Sequence, residues 1–120
     1  MTYRCLLVDD NERFLRSARR LLEREGATVV ATVTSGADAI ATAGGAEIDV
    51  SLVDVKLGGE SGATVADDLA RRGLGGRILL VSTLGEEEVL DLVTRSAAVG
   101  FVPKSALSVA AIDAALAQAA

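Results

Sequence analysis

Two adjacent carboxylates follow the first apolar segment of this chain, in the stretch RCLLVDDNERF. Asp9 and Asp10 come directly after a run of residues that is typical of a buried strand. Adjacent carboxylates at the edge of a hydrophobic core repel each other unless water or a bound cation compensates their charge. A third carboxylate, Asp54, ends another apolar segment in SLVDVKLGGESG. Whether these groups form one site depends on the fold that positions them.

Polar residues also end two later apolar segments. Ser82 and Thr83 close RILLVST, and Lys104 follows GFVP.

The chain has no histidine and one cysteine, Cys5, which lies inside the first apolar segment and is expected to be a small core residue. The commonest general base is therefore missing, and neither a disulfide nor a cysteine zinc site can form within the chain. A carboxylate is the best candidate nucleophile, and Asp54 is the best placed.

Short segments rich in β-branched residues alternate five times with segments of helical period. The pattern predicts strands at 3–8, 28–33, 48–55, 77–82 and 100–103. It predicts helices at 11–25, 35–43, 61–72 and 105–117, and a fourth helix that begins at 86 and buries Val89, Leu90, Val93 and Ala97. Asp10 or Asn11 is expected to cap the first helix, which Gly26 ends. The fold class is therefore α/β, a doubly wound (βα)5 flavodoxin-like sandwich whose parallel sheet has the order 2-1-3-4-5.

In this sheet the carboxyl ends of the first and third strands are neighbours, so Asp9, Asp10 and Asp54 should converge. Three close carboxylates suit Mg²⁺, and Lys104 would offset part of their charge. A phosphoryl group transferred to Asp54 would gain negative charge on its outer oxygens, which Mg²⁺, the Lys104 ammonium and the Ser82 hydroxyl can stabilise. The pattern thus favours phosphoryl transfer to an aspartate.

Composition limits the remaining possibilities. The 120 residues are half hydrophobic with 2% aromatics and a formal charge of −5, which predicts one aliphatic core and argues against nucleic-acid binding by this segment. The arginines of RSARRLLERE are interpreted as a solvated helix face, with a docking surface as the alternative. The N-terminus lacks the order of a signal peptide, and no apolar run reaches membrane-spanning length. A cytoplasmic protein without membrane contact is expected.

The whole chain resembles the receiver domains of two-component response regulators, through LLVDDN, SLVDVKLGGESG, ILLVST and GFVPKS in this order. The resemblance implies one receiver domain over 1–120 that takes a phosphoryl group from a sensor histidine kinase. It implies that Asp54 is the phosphoacceptor and that Ser82 and Lys104 contact the phosphoryl oxygens. The metal ligands it implies for Mg²⁺ are Asp9, Asp10, Asp54 and the backbone carbonyl of Lys56.

Phe101 occupies the position of the family's switch aromatic. By resemblance its ring would turn inward as Ser82 moves toward the phosphoryl group, which would change the face made by the fourth helix, fifth strand and fifth helix. The alternative is that Phe101 is an ordinary core residue of an edge strand. The sequence does not choose between these two interpretations.

The chain also departs from the family pattern. Gly58 stands where many receivers have proline, which should loosen the loop after Asp54, and Thr83 is bulkier than usual and should narrow access to Asp54. The Pro103-Lys104-Ser105 ending is similar to receivers that carry a C-terminal LuxR-type helix-turn-helix. Contact with DNA is therefore expected only through a domain outside this chain, and a homodimer through the first helix or the fourth and fifth helices is left open.

The predicted function is a phosphorylation-controlled switch of a phosphorelay, with transcription as its expected output, rather than an enzyme. The main alternative is a pseudo-receiver that binds a partner without being phosphorylated. An aspartyl phosphatase of the haloacid dehalogenase type would have a second aspartate where Lys56 stands. A flavodoxin-like cofactor binder would need aromatic residues to stack a flavin, and these are nearly absent.

Overall fold

The main sheet of the computed structural model has five parallel strands, and the structure describes residues 2–83 and 85–119 except for the side chain of Glu86. The strands are β1 (Arg4–Val8), β2 (Thr28–Val33), β3 (Val50–Asp54), β6 (Arg77–Ser82) and β7 (Gly100–Pro103), in the order 2-1-3-6-7. A short antiparallel hairpin of β4 (Lys56–Leu57) and β5 (Glu60–Ser61) follows β3. Without the hairpin strands this order is the predicted 2-1-3-4-5, so the predicted fold class is confirmed.

Five α-helices in the described residues cover the two faces of the sheet. They are α1 (Glu12–Arg24), α2 (Gly36–Ala43), α3 (Gly62–Arg71), α4 (Glu86–Thr94) and α5 (Val109–Gln118). Asn11 rather than Asp10 caps α1, because its side chain accepts the backbone N–H of Phe14. Gly26 follows α1 with a φ of 96°, a left-handed conformation that glycine adopts without steric cost.

The sheet separates two hydrophobic clusters. In β1, Cys5 and Leu7 face the cluster that contains residues of α1 and α5, whereas Leu6 and Val8 face the cluster that contains residues of α2, α3 and α4. β3 is buried along its whole length and β6 along all but its first residue, as expected for a parallel sheet covered on both faces. Cys5 is fully buried, which confirms its predicted place in the core.

Two predicted elements have a boundary that is wrong by more than one residue. The third strand spans 50–54 instead of 48–55, since the Asp49 carboxylate accepts the backbone N–H of Arg4 before regular strand pairing begins. The last helix begins at Val109 instead of 105, because Ser108 is its N-cap and accepts the N–H of Ala111. Residues Lys104–Ala106 form a separate 3₁₀ turn.

The buried face predicted for the fourth helix was also partly wrong. Val89 is buried, but Leu90 is 45% exposed, and Ala97 follows the end of α4 at Thr94. The apolar spacing is helical, yet no other element covers the Leu90 side of α4 in the described part of the chain. None of the helices in the described residues is long and apolar enough to cross a membrane.

Candidate functional site

An open cleft of about 270 Å³ lies at the carboxyl ends of β1, β3, β6 and β7. Its lining residues are Asp10, Asp54, Lys56, Gly58, Ser82, Thr83 and Lys104. Asp9 lies beside them, and one carboxylate oxygen from each of Asp9, Asp10 and Asp54 lies within 4.8 Å of the others. The strand order brings these carboxylates together as predicted, since β1 and β3 are hydrogen-bonded neighbours.

Close packing of α3 fixes the backbone beside Asp54. The N–H of Gly62 donates to the carbonyl of Val55 at 2.8 Å, at the start of α3. A Cβ atom at position 62 would lie 1.9 Å from the carbonyl oxygen of Asp54, so only glycine allows this approach. The carboxylate of Asp54 therefore extends from a buried strand end that is held on both sides, and the Lys56 N–H lies 3.5 Å from its Oδ1.

Asp9 and Asp10 have different environments although they are adjacent. Asp9 is buried, and its Oδ1 accepts the N–H of Asn11 at 2.8 Å. Asp10 is exposed, and its Oδ2 accepts the N–H of Gly58 at 2.9 Å. The second bond attaches the hairpin after β3 to the end of β1, at the glycine that was expected to loosen this loop. Asp9 thus holds the N-cap of α1, and Asp10 holds the hairpin.

Lys104 is the cation of the cluster. Its Nζ lies 2.7 Å from Oδ2 of Asp9 and donates to Oδ2 of Asp54 at 3.4 Å. Burial alone would lower the pKa of Lys104, but attraction to Asp9 and Asp54 outweighs burial and raises this pKa above its usual value. The ammonium therefore remains charged at neutral pH.

The carboxylates outnumber the cation. Burial, followed by the charge of Asp9, raises the pKa of Asp54, although Lys104 opposes the shift. Oδ2 of Asp9 is buried and, apart from its ion pair with Lys104, accepts no hydrogen bond of regular geometry among the described residues, so it keeps a lone pair for another ligand. Three carboxylates and one ammonium leave an excess negative charge that a divalent cation with oxygen ligands would compensate. The donor set fits such an ion.

The remaining predicted residues lie in two places. Ser82 is buried at the end of β6 and lines the cleft, as do Lys56 and the exposed Thr83. Phe101 lies outside the cleft: it lines a groove between α4 and α5 and packs partly against the cluster of α2, α3 and α4. This half-buried position is compatible with both interpretations of Phe101.

Sequence reasoning missed two side-chain contacts near the carboxyl ends of the strands. No motif of the sequence pointed to Phe14, yet Lys104 Nζ lies 4.5 Å from the centroid of its ring. No contact was predicted for Glu60 either, yet its Oε1 accepts the N–H of Gly36 at the start of α2 at 2.8 Å. The sequence did hold a signal for Phe14, because it follows Asp10 by one helical turn and must therefore lie near the carboxyl end of β1.

Comparison with known proteins decides the family. The family model of the response regulator receiver domain matches residues 5–116. This chain belongs to that family. The receiver is 36% identical over 81 residues to the nitrate/nitrite response regulator protein NarP of Escherichia coli K12, a match that covers 67% of this chain and 38% of NarP. The chain thus spans less than half the length of this curated relative.

Solved structures agree with the receiver fold. A LuxR-family two-component response regulator from Aurantimonas sp. SI85-9A1 has a TM-score of 0.85 and 28% identity, over 98% of this chain and 87% of that one. A response regulator from Burkholderia pseudomallei, described with a phosphorylated aspartic acid, a calcium ion and citrate, has a TM-score of 0.82 and 25% identity, over 98% of this chain and 68% of that one. The receiver is thus similar to proteins that act in two-component signalling.

Proposed function

We propose that this receiver is a phosphorylation-controlled switch in which Asp54 accepts a phosphoryl group from a phosphohistidine of a sensor histidine kinase. The observation that carries the proposal is the buried Asp54 carboxylate, which lies beside Lys104 and two further aspartates on an open cleft. An oxygen of Asp54 would form the new bond to phosphorus while the bond from phosphorus to the imidazole nitrogen breaks. The related protein from B. pseudomallei carries a phosphorylated aspartic acid, which supports this assignment.

Most polar residues of the cleft would contribute to this transfer. The Lys104 ammonium and the Ser82 hydroxyl would bind the outer oxygens of the phosphoryl group. Asp9, Asp10, Asp54 and the Lys56 carbonyl would hold Mg²⁺, which supplies positive charge against the oxygens that gain negative charge. Asp9 also keeps Lys104 close to Asp54, through the 2.7 Å contact of Nζ with Oδ2. Positioning and charge suffice, so no histidine is needed.

The output is proposed to pass through the face formed by α4, β7 and α5. Phe101 lies on this face, and its neighbour in the β6–β7 pairing, Leu80, is two residues before Ser82. A shift of Ser82 toward the phosphoryl group would open space for the Phe101 ring. We propose that transcription is the output, through a DNA-binding domain outside this chain, and that the receiver acts in the cytoplasm as a switch rather than as an enzyme.

Intact-mass analysis after incubation with acetyl phosphate and Mg²⁺ tests the phosphoacceptor. We expect the mass of one phosphoryl group to be added to the wild-type chain and not to Asp54→Asn, and the adduct to be removed by hydroxylamine. Circular dichroism of both proteins controls for folding. An adduct that persists in Asp54→Asn would place the modification elsewhere, and a folded wild-type chain without any adduct would favour the pseudo-receiver alternative.

Replacing Ser82 with Ala tests the switch. Because Ser82 is proposed to report the phosphoryl group rather than to accept it, Ser82→Ala should still be phosphorylated. Its phosphorylation should no longer alter self-association or partner binding, measured by sedimentation or pull-down with the wild-type chain as control. An unchanged response would identify Phe101 as an ordinary core residue.

A further inference from the structure

The aromatic ring of Phe14 contacts the cation of the cleft. Nζ of Lys104 lies 4.5 Å from the ring centroid, within the range of about 6 Å over which a ring face attracts an ammonium group. Phe14 lies in the first turn of α1, whereas Lys104 opens the 3₁₀ turn after β7. The contact therefore joins two elements that begin at the same edge of the sheet.

The ring of Phe14 packs against the core beside the lysine. Phe14 is half-buried and packs against the cluster formed by β1, α1 and α5, and its backbone N–H donates to Oδ1 of Asn11 at 3.1 Å. It also lines a small apolar cavity together with Asp9 and Leu107. A lysine side chain has several rotatable bonds and loses more rotamer entropy than most when it is fixed. A fixed ring face restricts the positions that the ammonium can occupy.

We propose that Phe14 is a positioning residue, whose ring face holds the Lys104 ammonium beside Asp54 through a cation–π contact and so sets the rate at which Asp54 accepts a phosphoryl group. Asp9 and Asp54 attract Lys104 by charge, at 2.7 Å and 3.4 Å, and the ring adds an attraction that does not compete for the carboxylate oxygens. The effect on rate rests on the proposed function of Asp54, whereas the contact itself does not.

Lysine-selective isotope labelling tests the contact by NMR. The chain has two lysines, Lys56 and Lys104, so the labelled protein gives two sets of side-chain signals. A ring face above the ammonium should shift the terminal methylene protons of Lys104 upfield, and Phe14→Leu should abolish this shift while the exposed Lys56 stays unchanged as the internal control. Absence of the upfield shift in the folded wild-type protein would overturn the proposal, whether or not Asp54 is phosphorylated.

Ring fluorination separates the charge attraction from simple packing. A trifluorinated phenylalanine at position 14 keeps the shape of the ring but withdraws its electrons, so phosphorylation by acetyl phosphate with Mg²⁺ should slow about fivefold, as expected for the loss of a partly buried cation–π contact. Phe14→Tyr keeps an electron-rich ring, so it should be phosphorylated at close to the wild-type rate. In a Lys104→Met background the fluorinated ring should have no effect on whatever rate remains.

Two outcomes would overturn the effect on rate and are distinguishable from failure of the proposed function. If the fluorinated protein reacts as fast as the wild type while Phe14→Leu is slow, the ring acts by packing alone. If fluorination slows the reaction equally with and without Lys104, the effect does not pass through the lysine. If the wild-type chain is not phosphorylated at all, the proposed function fails together with the effect on rate, and the lysine spectrum still decides the contact.

Discussion

The cleft at the carboxyl ends of the strands and the groove between α4 and α5 differ in what fixes their side chains. In the cleft, Asp9, Asp54 and Ser82 are buried, and the side chain of Lys104 is 16% exposed and lies in two ion pairs. The groove, of about 220 Å³, is lined mainly by apolar groups that include Leu90, Val93 and Phe101. Its side chains are held by shape rather than by directed contacts.

This difference predicts different responses to change. A buried charge that loses its partner costs several times more than an exposed apolar side chain that moves to another rotamer. The cleft should therefore tolerate few substitutions, and those should alter stability, metal binding and chemistry together. The groove should tolerate polar substitutions with little loss of stability, and they should alter association alone. The proposed switch would benefit from this tolerance, because the groove would then be free to change with the state of the cleft.

The largest effect is expected where the backbone of the cleft is closest packed. In Gly62→Ala the new Cβ would lie 1.9 Å from the carbonyl oxygen of Asp54, so β3 and α3 must separate. We expect a loss of roughly 3 kcal/mol in the free energy of unfolding, the scale of severe overpacking, and slower phosphorylation of Asp54. Urea denaturation followed by circular dichroism measures the loss.

Gly59→Ala is the matched control for this change. Position 59 lies in the turn of the hairpin after β3 and does not have a positive φ, and a Cβ atom added there would meet no other atom within 4 Å. Its free energy of unfolding should change by no more than about 0.5 kcal/mol. Equal losses in the two variants would show that the hairpin as a whole, and not the contact of Gly62 with Asp54, limits stability.

Binding of Mg²⁺ should have the next largest effect, because it compensates the excess charge of the three carboxylates. At a concentration 100 times the dissociation constant, a ligand that binds only the folded state adds about 2.7 kcal/mol to its stability. We therefore expect millimolar Mg²⁺ to raise the thermal midpoint of the wild type, and Asp9→Asn to lose most of this gain. Asp38→Asn, at an exposed position in α2, should keep the gain. A wild-type thermal midpoint that does not change when Mg²⁺ is added would contradict the metal site.

A smaller effect on the free energy of unfolding is expected when the charge of Asp54 is removed in a metal-free buffer. The raised pKa of Asp54 means that its carboxyl group is protonated more readily in the folded protein than in the unfolded chain. This group therefore stabilises the fold fully below its unfolded pKa near 3.8, and the contribution is lost as pH rises through the higher folded pKa. At neutral pH and with a chelator, Asp54→Asn should be the more stable protein by about 1 kcal/mol.

The comparison of the two proteins across pH checks the sign of this effect. The advantage of Asp54→Asn should shrink as pH falls toward 4, because the wild-type carboxyl then becomes neutral as well. Denaturation at several pH values, with a chelator throughout, measures the difference. An advantage that is constant across pH would show that the substitution acts by packing and not through the ionised carboxylate.

The parts of the fold and site that follow from pattern could be predicted, and the parts that depend on contacts across the chain could not. Continuous apolar segments that end in Asp9, Asp54 and Lys104 predicted a parallel sheet and the convergence of these residues at one edge. Ser105 and Ser108 are both acceptable helix caps, so local chemistry did not choose the start of α5.

The exposure of Leu90 illustrates the same limit. Its spacing in α4 is that of a buried stripe, and only the position of the neighbouring elements shows that this side of the helix lacks cover in the described residues. The contact of Phe14 with Lys104 likewise joins residues at the two ends of the chain, and no local pattern links them. Helical period predicts which residues can share a face, but not what packs against that face.

The smallest effect on stability is expected in the groove. Leu90→Gln replaces an apolar residue that is 45% exposed with a good helix former, so the free energy of unfolding should change by no more than about 0.5 kcal/mol. Phosphorylation of Asp54 should proceed at the wild-type rate, since Leu90 does not line the cleft. Self-association of the phosphorylated receiver, measured by sedimentation, should weaken, because the groove would lose an apolar contact surface.

Arg16→Gln is the matched control on the other face considered for a dimer. Arg16 is exposed on α1, whose outer side is charged, and its replacement should leave both stability and association unchanged. If Arg16→Gln weakened association and Leu90→Gln did not, the contact surface would be α1 rather than the groove. If Leu90→Gln also slowed phosphorylation, the cleft and the groove would be coupled before phosphorylation, and the contrast between a rigid cleft and a tolerant groove would not hold.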